Sequence, residues 1–538
     1  MKRSYICVDE NPSKKIKHKQ ISYNPGIREF INDNNLVTLL KKKNIESESD
    51  EFRTDKCNIG ISYEKDVVEY INNNIHPVVS VDGKINQENC IKTINLMKVK
   101  TPFIHSAKFC NDKDSGEIDL LVLNTHINLL NDNIVVDEKC NPYYIVIEIK
   151  YMKISKVKNS LLIKNTQNIK IAKGQCCYYN NWLNKVLSNN HKKSYIIPGY
   201  NPKEGLENIG EVDFEGNDSE YKNLVKSGEE FTMYINNNYK TIDLDNIKNN
   251  PDFYPNMNCD SIGFNKYKQD LAIELGEHTL ITGVTQNAKK KAHSRSICSF
   301  KDLNYTPEEI VASYGYEKSK LANGIKNIIR VNRPDCTDII LWKDKDKGYK
   351  PFQIFKNKNK IFLDFETLND KIFLTGFYYN DGAFYKYIAD NIECIDSEIK
   401  LINDFHNIYK KLGEPIILYW YADYGIYKRA CTRNGVDTIV EKFKWIDMYK
   451  IFKEDEIAVK DCYDYKLKKI SNAMTKHNFI NCVNNSSCLN GTDAINHAKV
   501  LYDSTTSDET KTKIQNSVIE YNRLDCLMIY EIFKYFTN

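Results

Sequence analysis

Carboxylates stand in the middle of two strand-like apolar runs, and this restricts the chain more than any other feature. The first run is Gly116-Glu117-Ile118-Asp119-Leu120-Leu121-Val122, followed by Ile145-Val146-Ile147-Glu148-Ile149-Lys150. The second is Ile361-Phe362-Leu363-Asp364-Phe365-Glu366-Thr367, which is matched near the end of the chain by Tyr521-Asn522-Arg523-Leu524-Asp525. An anion among Ile, Val, Leu and Phe is costly to bury unless a cation or partner neutralises it. The arrangement occurs twice with different spacing, so two separate acidic sites in an α/β protein are expected.

At 538 residues the chain exceeds one hydrophobic core, and about two to four domains are expected. A hydrophobic content of 41% with 12% aromatics fits packed domains rather than extended disorder. No apolar run approaches the ~18 to 20 residues of a membrane span, and Met1-Lys2-Arg3-Ser4 lacks the apolar core of a secretory signal. A soluble intracellular protein of cytoplasm or nucleus, with no membrane partner, is expected. The cysteines are scattered without a Cys-x-x-Cys pair, which points to reduced thiols and against a zinc ribbon or an iron–sulfur cluster. No P-loop is present, so no ATP site is expected.

The net charge of +4 is too small to be diagnostic. Local clusters say more: Lys14-Lys15-Ile16-Lys17-His18-Lys19, Lys41-Lys42-Lys43, and Lys289, Lys290 and Lys291 followed by His293 and Arg295. Each is read either as a phosphate-contacting or nuclear-address segment, or as an ordinary solvated surface. Heavy use of Asn, Lys, Ile and Tyr, residues with A/T-rich codons, reflects genome bias rather than a functional repeat.

Pattern changes divide the chain into a basic flexible segment (1–50), an α/β domain (51–275), a helical connector (276–357) and a second α/β domain (358–538). In the first domain, strands over 118–123 and 143–149 and a helix over 171–187 are predicted, and residues 200–275 read as short strands between turns. In the connector, Thr279 to Ala292 and Lys318 to Val331 read as helices, and Thr306-Pro307-Glu308-Glu309 reads as a capped helix start. The last helix is predicted over 517–536.

Residues two apart in a strand share a face, so Glu148 and Lys150 project together, and Asp119 joins them if the two strands pair. Two hard carboxylates suit Mg²⁺ or Mn²⁺, and a nearby ammonium balances charge on a phosphate. This constellation resembles the PD-(D/E)XK nucleases, in particular the RecB-type branch. Gly60-Ile61-Ser62-Tyr63-Glu64 resembles the first-helix motif of that branch, and Gly116 before the Asp119 run resembles the second. Gln175 and Tyr179, four apart on the following helix, resemble its Gln-x-x-x-Tyr motif. The resemblance implies Glu64, Asp119 and Glu148 as metal ligands, Lys150 as a catalytic residue, and Gln175 and Tyr179 as nucleic-acid contacts. Trp182 and Leu183 read as packing residues, and His105 as an ordinary loop histidine, with assistance to a metal as its alternative.

Asp364 and Glu366 share a strand face and repel each other without cations between them. Tyr521 and Asp525, four apart, share a helix face. The set resembles the DEDD exonucleases of the ribonuclease H-like fold, in the subgroup with Tyr-x-x-x-Asp. The resemblance implies a site of Asp364, Glu366 and Asp525 holding two metals, with Tyr521 orienting the attacking water. That family places its middle acid about where Gly425 falls here; Asp423 is the nearest carboxylate. Either Asp423 substitutes or the site is reduced to one metal. Asp447 is a second candidate, with a structural hydrogen-bonding role as its alternative. Tyr465-Lys466-Leu467-Lys468-Lys469-Ile470 resembles a family segment close to substrate, making Lys466 a nucleic-acid candidate.

From about residue 55 to 538 the order of parts resembles the RecB-like nucleases fused to a YprB-like ribonuclease H domain, found in bacteria and large DNA viruses. The fold this implies is a PD-(D/E)XK restriction-endonuclease-like domain, a helical connector and a ribonuclease H-like domain. It implies a Mg²⁺- or Mn²⁺-dependent nuclease, an exonuclease, acting on DNA in replication, repair or recombination beside a helicase or replication protein. Two alternatives stay open: a nucleic-acid-binding scaffold with a degenerate ribonuclease H-like domain, and a 3′–5′ exonuclease directed at RNA.

Overall fold

The computed structural model describes residues 25–45, 51–110, 115–135, 141–166, 169–187, 192–261, 263–317, 319–380, 382–392, 394–482, 488 and 491–538. The chain divides into two units, Met1–Lys268 and Gln269–Asn538, each with its own sheet.

In the first unit the elements run α1 (Pro25–Ile31), α2 (Asn35–Lys42), α3 (Glu51–Asn74), β1 (Val79–Ser80), α4 (Gln87–Lys98), β2 (Phe103–Cys110), β3 (Ser115–Leu123) and β4 (Tyr144–Lys150). They continue with α5 (Lys170–Leu187), β5 (Lys193–Pro198), α6 (Pro202–Glu207), β6 (Gly210–Asp213) and α7 (Glu220–Asn238). The six strands lie in sequence order. β2, β3 and β4 pair antiparallel, β1 runs parallel to β2 and β5 parallel to β4, and β6 closes antiparallel to β5.

Alternation along β4 separates two cores. Tyr144 and Val146 pack with Cys176, Tyr179 and Leu183 of α5, whereas Ile145, Ile147 and Ile149 pack with Tyr63, Val67 and Ile71 of α3. The same alternation assigns Glu148 and Lys150 to the α5 face. The predicted strands and the α5 helix are present with ends shifted by no more than three residues.

Two expectations for this unit fail. The segment 1–50 is not loose throughout: α1 and α2 carry Ile27, Ile31, Leu36, Val37, Leu39 and Leu40 fully buried, because an apolar helical face pays for its ordering by burial. Its cluster at residues 14–19 lies outside the described residues, and the Lys41 ammonium pairs with Glu29 at 2.7 Å. The stretch 200–275 is mainly helical, with one strand. In α7 the buried Tyr221, Val225, Gly228 and Ile235 recur at helical spacing among Asn, Lys and Glu.

The division between the units falls in α8 (Asn265–Leu275). The second unit then holds α9 (Gln286–His293), α10 (Pro307–Ser313), α11 (Ala322–Val331), β7 (Ile340–Leu341), β8 (Lys360–Leu368), β9 (Lys371–Tyr379), β10 (Ala383–Ile388) and α12 (Ile395–Lys411). It ends with β11 (Ile416–Tyr419), α13 (Asp423–Arg433), β12 (Lys444–Asp447), α14 (Met448–Glu454), β13 (Ala458–Val459), α15 (Leu467–Lys476), α16 (Gly491–Tyr502) and α17 (Asp508–Thr537).

The connector is not a separate body. Ile281, Ile310, Ile325 and Ile329 share one core with Phe362, Leu418, Phe452 and Ile532. The capping box predicted at Thr306 is formed with Glu309. The helix predicted from Thr279 begins only at Gln286, because left-handed Gly283 (φ +86°) interrupts it and Thr285 caps the new start.

The main sheet of this unit has the order β10-β9-β8-β11-β12. β8, β9 and β10 form an antiparallel meander, and β11 runs parallel to both β8 and β12. Asn369 and Asp370, at φ +51° and +63°, close the β8–β9 hairpin as a two-residue primed turn. The ladder shifts register between Glu366 and Thr367. Ile361, Leu363 and Phe365 face α12 and α13, and Phe362 faces α17. Asp364 and Glu366 therefore lie on the α17 side. No described helix is long and apolar enough to cross a membrane.

Candidate functional site

In the first unit Asp119, Glu148 and Lys150 converge. The Lys150 ammonium lies 3.1 Å from Asp119 Oδ2 and 2.5 Å from Glu148 Oε2. Asp119 Oδ2 also accepts the Ile149 backbone N–H at 2.9 Å. Across β2, the pairs His105↔Leu120 and Ala107↔Ile118 leave Ser106, at a left-handed φ of +57°, opposite Asp119. Glu148 is fully buried, and neither of its oxygens has a partner of hydrogen-bonding geometry beyond the Lys150 ion-pair contact. Burial, then the Asp119 charge, pushes its carboxyl well above the usual carboxylate range, against Lys150. Burial pulls the Lys150 ammonium down, but the two carboxylates outweigh that and keep it charged.

The remaining residues expected here behave differently. Glu64 Oε1 lies 3.1 Å from His105 Nε2, and His105 Nδ1 lies 3.0 Å from Ser80 Oγ. Glu64 is thus engaged with a histidine rather than with Asp119 or Glu148, and that histidine stands in strand β2, not in a loop. Gln175 donates to the Tyr179 hydroxyl at 3.3 Å, so the expected shared face exists. Tyr179 itself is fully buried, edge-on to Phe109 and beneath Gly116, where a Cβ would meet both rings. Packing removes it from contact with a polymer. Trp182 stacks on Phe109, a packing role.

In the second unit Asp364, Glu366 and Asp525 each offer a carboxylate oxygen, and these oxygens lie within 4.8 Å of one another. This is the one such group among the described residues. β8 supplies the first two acids and α17 supplies Asp525 with Tyr521. Asp423, the first residue of α13, is buried and accepts the Phe365 N–H at 3.2 Å, which draws it in beside Asp364. At Gly425, two residues further along the helix, an added Cβ would approach Arg429 rather than a carboxylate. Asp447 instead caps α14 and accepts the Tyr421 N–H, the structural alternative.

Four acids gathered together, Asp364 half-buried and the other three buried, cannot all ionise without compensation. Burial and then Asp423, Glu366 and Asp525 raise Asp364 well above the carboxylate range. Burial and Asp525 push Glu366 up to about 8, with Lys468 opposing them. Asp423 is pushed up to about 7 by burial against three backbone N–H groups. Asp525 rises to about 6 by burial, held back by Lys468 and Tyr521. Burial and the surrounding carboxylates raise the Tyr521 phenol, so it stays protonated.

Two residues of this site are not singled out by the sequence. Lys468, on α15, hydrogen-bonds to the Tyr521 hydroxyl and lies 3.5 Å from Asp525 Oδ2. Lys466, expected to be the relevant lysine, is exposed at the start of that helix. Asn522 donates to Asp364 Oδ2 at 2.8 Å and to its backbone oxygen at 3.1 Å. It reaches them across Gly376, where a Cβ would fall 1.8 Å from Asn522 Oδ1.

The basic cluster of the connector is also divided. Lys289 is buried against Glu277 at 3.0 Å, so its ammonium is spent inside the fold. Lys290, Lys291 and Arg295 are exposed.

The chain matches no family model, no curated protein and no solved structure.

Proposed function

We propose that the protein is a Mg²⁺- or Mn²⁺-dependent nuclease acting on DNA ends or single strands, with a ribonuclease H-like exonuclease centre in the second unit and a PD-(D/E)XK-type centre in the first. The observation that carries this reading is the convergence of Asp364, Glu366 and Asp525 oxygens within 4.8 Å. The donor set fits a hard divalent cation: every ligand is a carboxylate oxygen, and Asp525 Oδ1 is buried without a hydrogen-bond partner. The mixed sheets with helices on both faces support the two-domain reading, and Asp423 supplies the middle acid that the spacing left open.

A bound divalent cation would supply Lewis-acid polarisation and charge neutralisation at a phosphodiester. The chain's own groups supply the rest. Asn522 fixes Asp364, and the Phe365 N–H fixes Asp423. Tyr521, protonated and held by Lys468, presents a hydroxyl that orients a nucleophile. In the first unit Lys150 offers its ammonium to phosphate charge while Asp119 and Glu148 would hold the cation.

The test is degradation of end-labelled single- and double-stranded DNA, with matched RNA, in Mg²⁺ or Mn²⁺. Asp364→Asn and Lys150→Met each remove part of the activity and the double variant removes all of it. Undiminished degradation by the double variant rejects both centres.

A further inference from the structure

Tyr421 follows β11 and precedes the buried acid Asp423 by two residues. Its backbone is left-handed, at φ +67°, a conformation that a bulky side chain adopts only when its surroundings impose it. The imposing contact is Asp447 Oδ1, which accepts the Tyr421 N–H at 3.2 Å while capping α14. The kink sends Trp420 inward, where its indole donates to the Tyr465 carbonyl at 3.1 Å, and turns Tyr421 outward, 66% exposed. The exposed ring leans on Tyr449 at 4.8 Å between centroids, and Lys453 lies 5.2 Å over the Tyr449 ring. Lys466, the residue after Tyr465 in the chain, is exposed.

A strained, outward aromatic backed by a second aromatic that carries the Lys453 ammonium over its ring has the chemistry of a single-strand platform. Every nucleobase has a π-face, and cations nearby take the phosphates. We infer that Tyr421, held by Asp447 and supported by Tyr449, is a base-stacking subsite that seats a nucleotide of single-stranded nucleic acid beside the Asp364–Asp423 acids. The inference rests on the nuclease reading for the identity of its ligand, and it adds a recognition element that the acids do not supply.

The experiment uses the full chain in EDTA, so that no cleavage occurs, and a short labelled thymidine oligonucleotide against an abasic strand of equal length that keeps every phosphate. Wild type binds the strand with bases about tenfold more tightly, as expected for one aromatic stack. Tyr421→Asn tolerates the left-handed backbone and abolishes this preference while leaving the abasic affinity unchanged; Tyr421→Trp restores it. Mn²⁺ binding, measured calorimetrically, is retained in Tyr421→Asn and establishes that the variant is folded. A preference that survives in Tyr421→Asn, or is absent in wild type, overturns the subsite. Separately, if Asp364→Asn and Lys150→Met together still degrade DNA while Tyr421→Asn loses base preference, the nuclease centres fall and the stacking subsite stands.

Discussion

Lys468 places its ammonium 3.8 Å from the centre of the Tyr521 ring and hydrogen-bonds to that residue's hydroxyl. One cation thus fixes a phenol from two sides while standing next to Asp525. Replacing it by Met is expected to lower turnover by about 10²-fold, the scale of losing one positioned polar group. The same change is expected to tighten Mn²⁺ binding, since a competing positive charge leaves the carboxylates. Kinetics and calorimetry on Lys468→Met test the pair of opposite effects; a loss of both activity and metal affinity would reduce Lys468 to a packing residue.

The second acidic cluster makes stability depend on pH in a definite direction. A carboxyl whose folded pKa exceeds its unfolded value of about 4 keeps its proton longer when folded. Metal-free protein is therefore favoured below about pH 4, and loses this contribution as pH rises through the folded values of about 6, 7 and 8 at Asp525, Asp423 and Glu366. In EDTA, Glu366→Gln should melt higher than wild type at about pH 8, with the difference vanishing below about pH 4. Added Mg²⁺ should raise the melting temperature of wild type most at the alkaline end, with proton release on binding. Equal melting of the two proteins at every pH would contradict the electrostatics of the cluster.

Gly376 exists to let Asn522 pass. Gly376→Ala puts a methyl 1.8 Å from Asn522 Oδ1 and should cost about 1 to 3 kcal/mol in urea unfolding. Because the clash involves one partner, Gly376→Ala with Asn522→Ala should be less destabilised than the sum of the single changes. Strict additivity would show that the two do not meet.

Glu148 is fully buried with Lys150 as its counter-ion. Lys150→Met should destabilise the first unit by about 3 kcal/mol at alkaline pH, the scale for orphaning a buried charge. Glu148→Gln in the same chain should restore much of the loss, which chemical denaturation would reveal.

Lys289→Met should lower stability, since it strips buried Glu277 of its partner, yet leave the salt dependence of DNA binding unchanged. If Lys290, Lys291 or Arg295 touches phosphate, neutralising that residue lowers the salt slope by about one per contact. A lowered slope in Lys289→Met would refute its interior role.

Period-two and period-four patterns made the acids legible. Asp364 and Glu366 share a strand face, Tyr521 and Asp525 share a helix face, and Glu148 shares one with Lys150, all from spacing; Asp119 joins the last pair because β3 and β4 pair. What spacing cannot give is the helix phase and the opposite wall. Lys466 and Lys468 are two residues apart, and the start of α15 at Leu467 decides which one reaches Asp525. Asn522 acquires its role from a missing side chain on β9, far away in sequence. The Gln-x-x-x-Tyr spacing at Tyr179 and the lysine run at Lys289 read as nucleic-acid contacts, but each residue occupies the inward phase of an amphipathic helix. Residues 220–238 hid a helix under Asn and Tyr, whose weak propensities masked the buried spacing of Tyr221, Val225, Gly228 and Ile235.

The left-handed pair Asn369 and Asp370 serves as a ruler. Two residues separate β8 from β9 at this turn, and the register shift after Glu366 offsets the ladder once more. Deleting one residue there would slide β9 by half a pleat, exchange its inner and outer faces, and bring a side chain under Asn522 in place of Gly376. The length of this hairpin loop, more than the identity of any residue within it, is therefore what the acid cluster cannot tolerate losing.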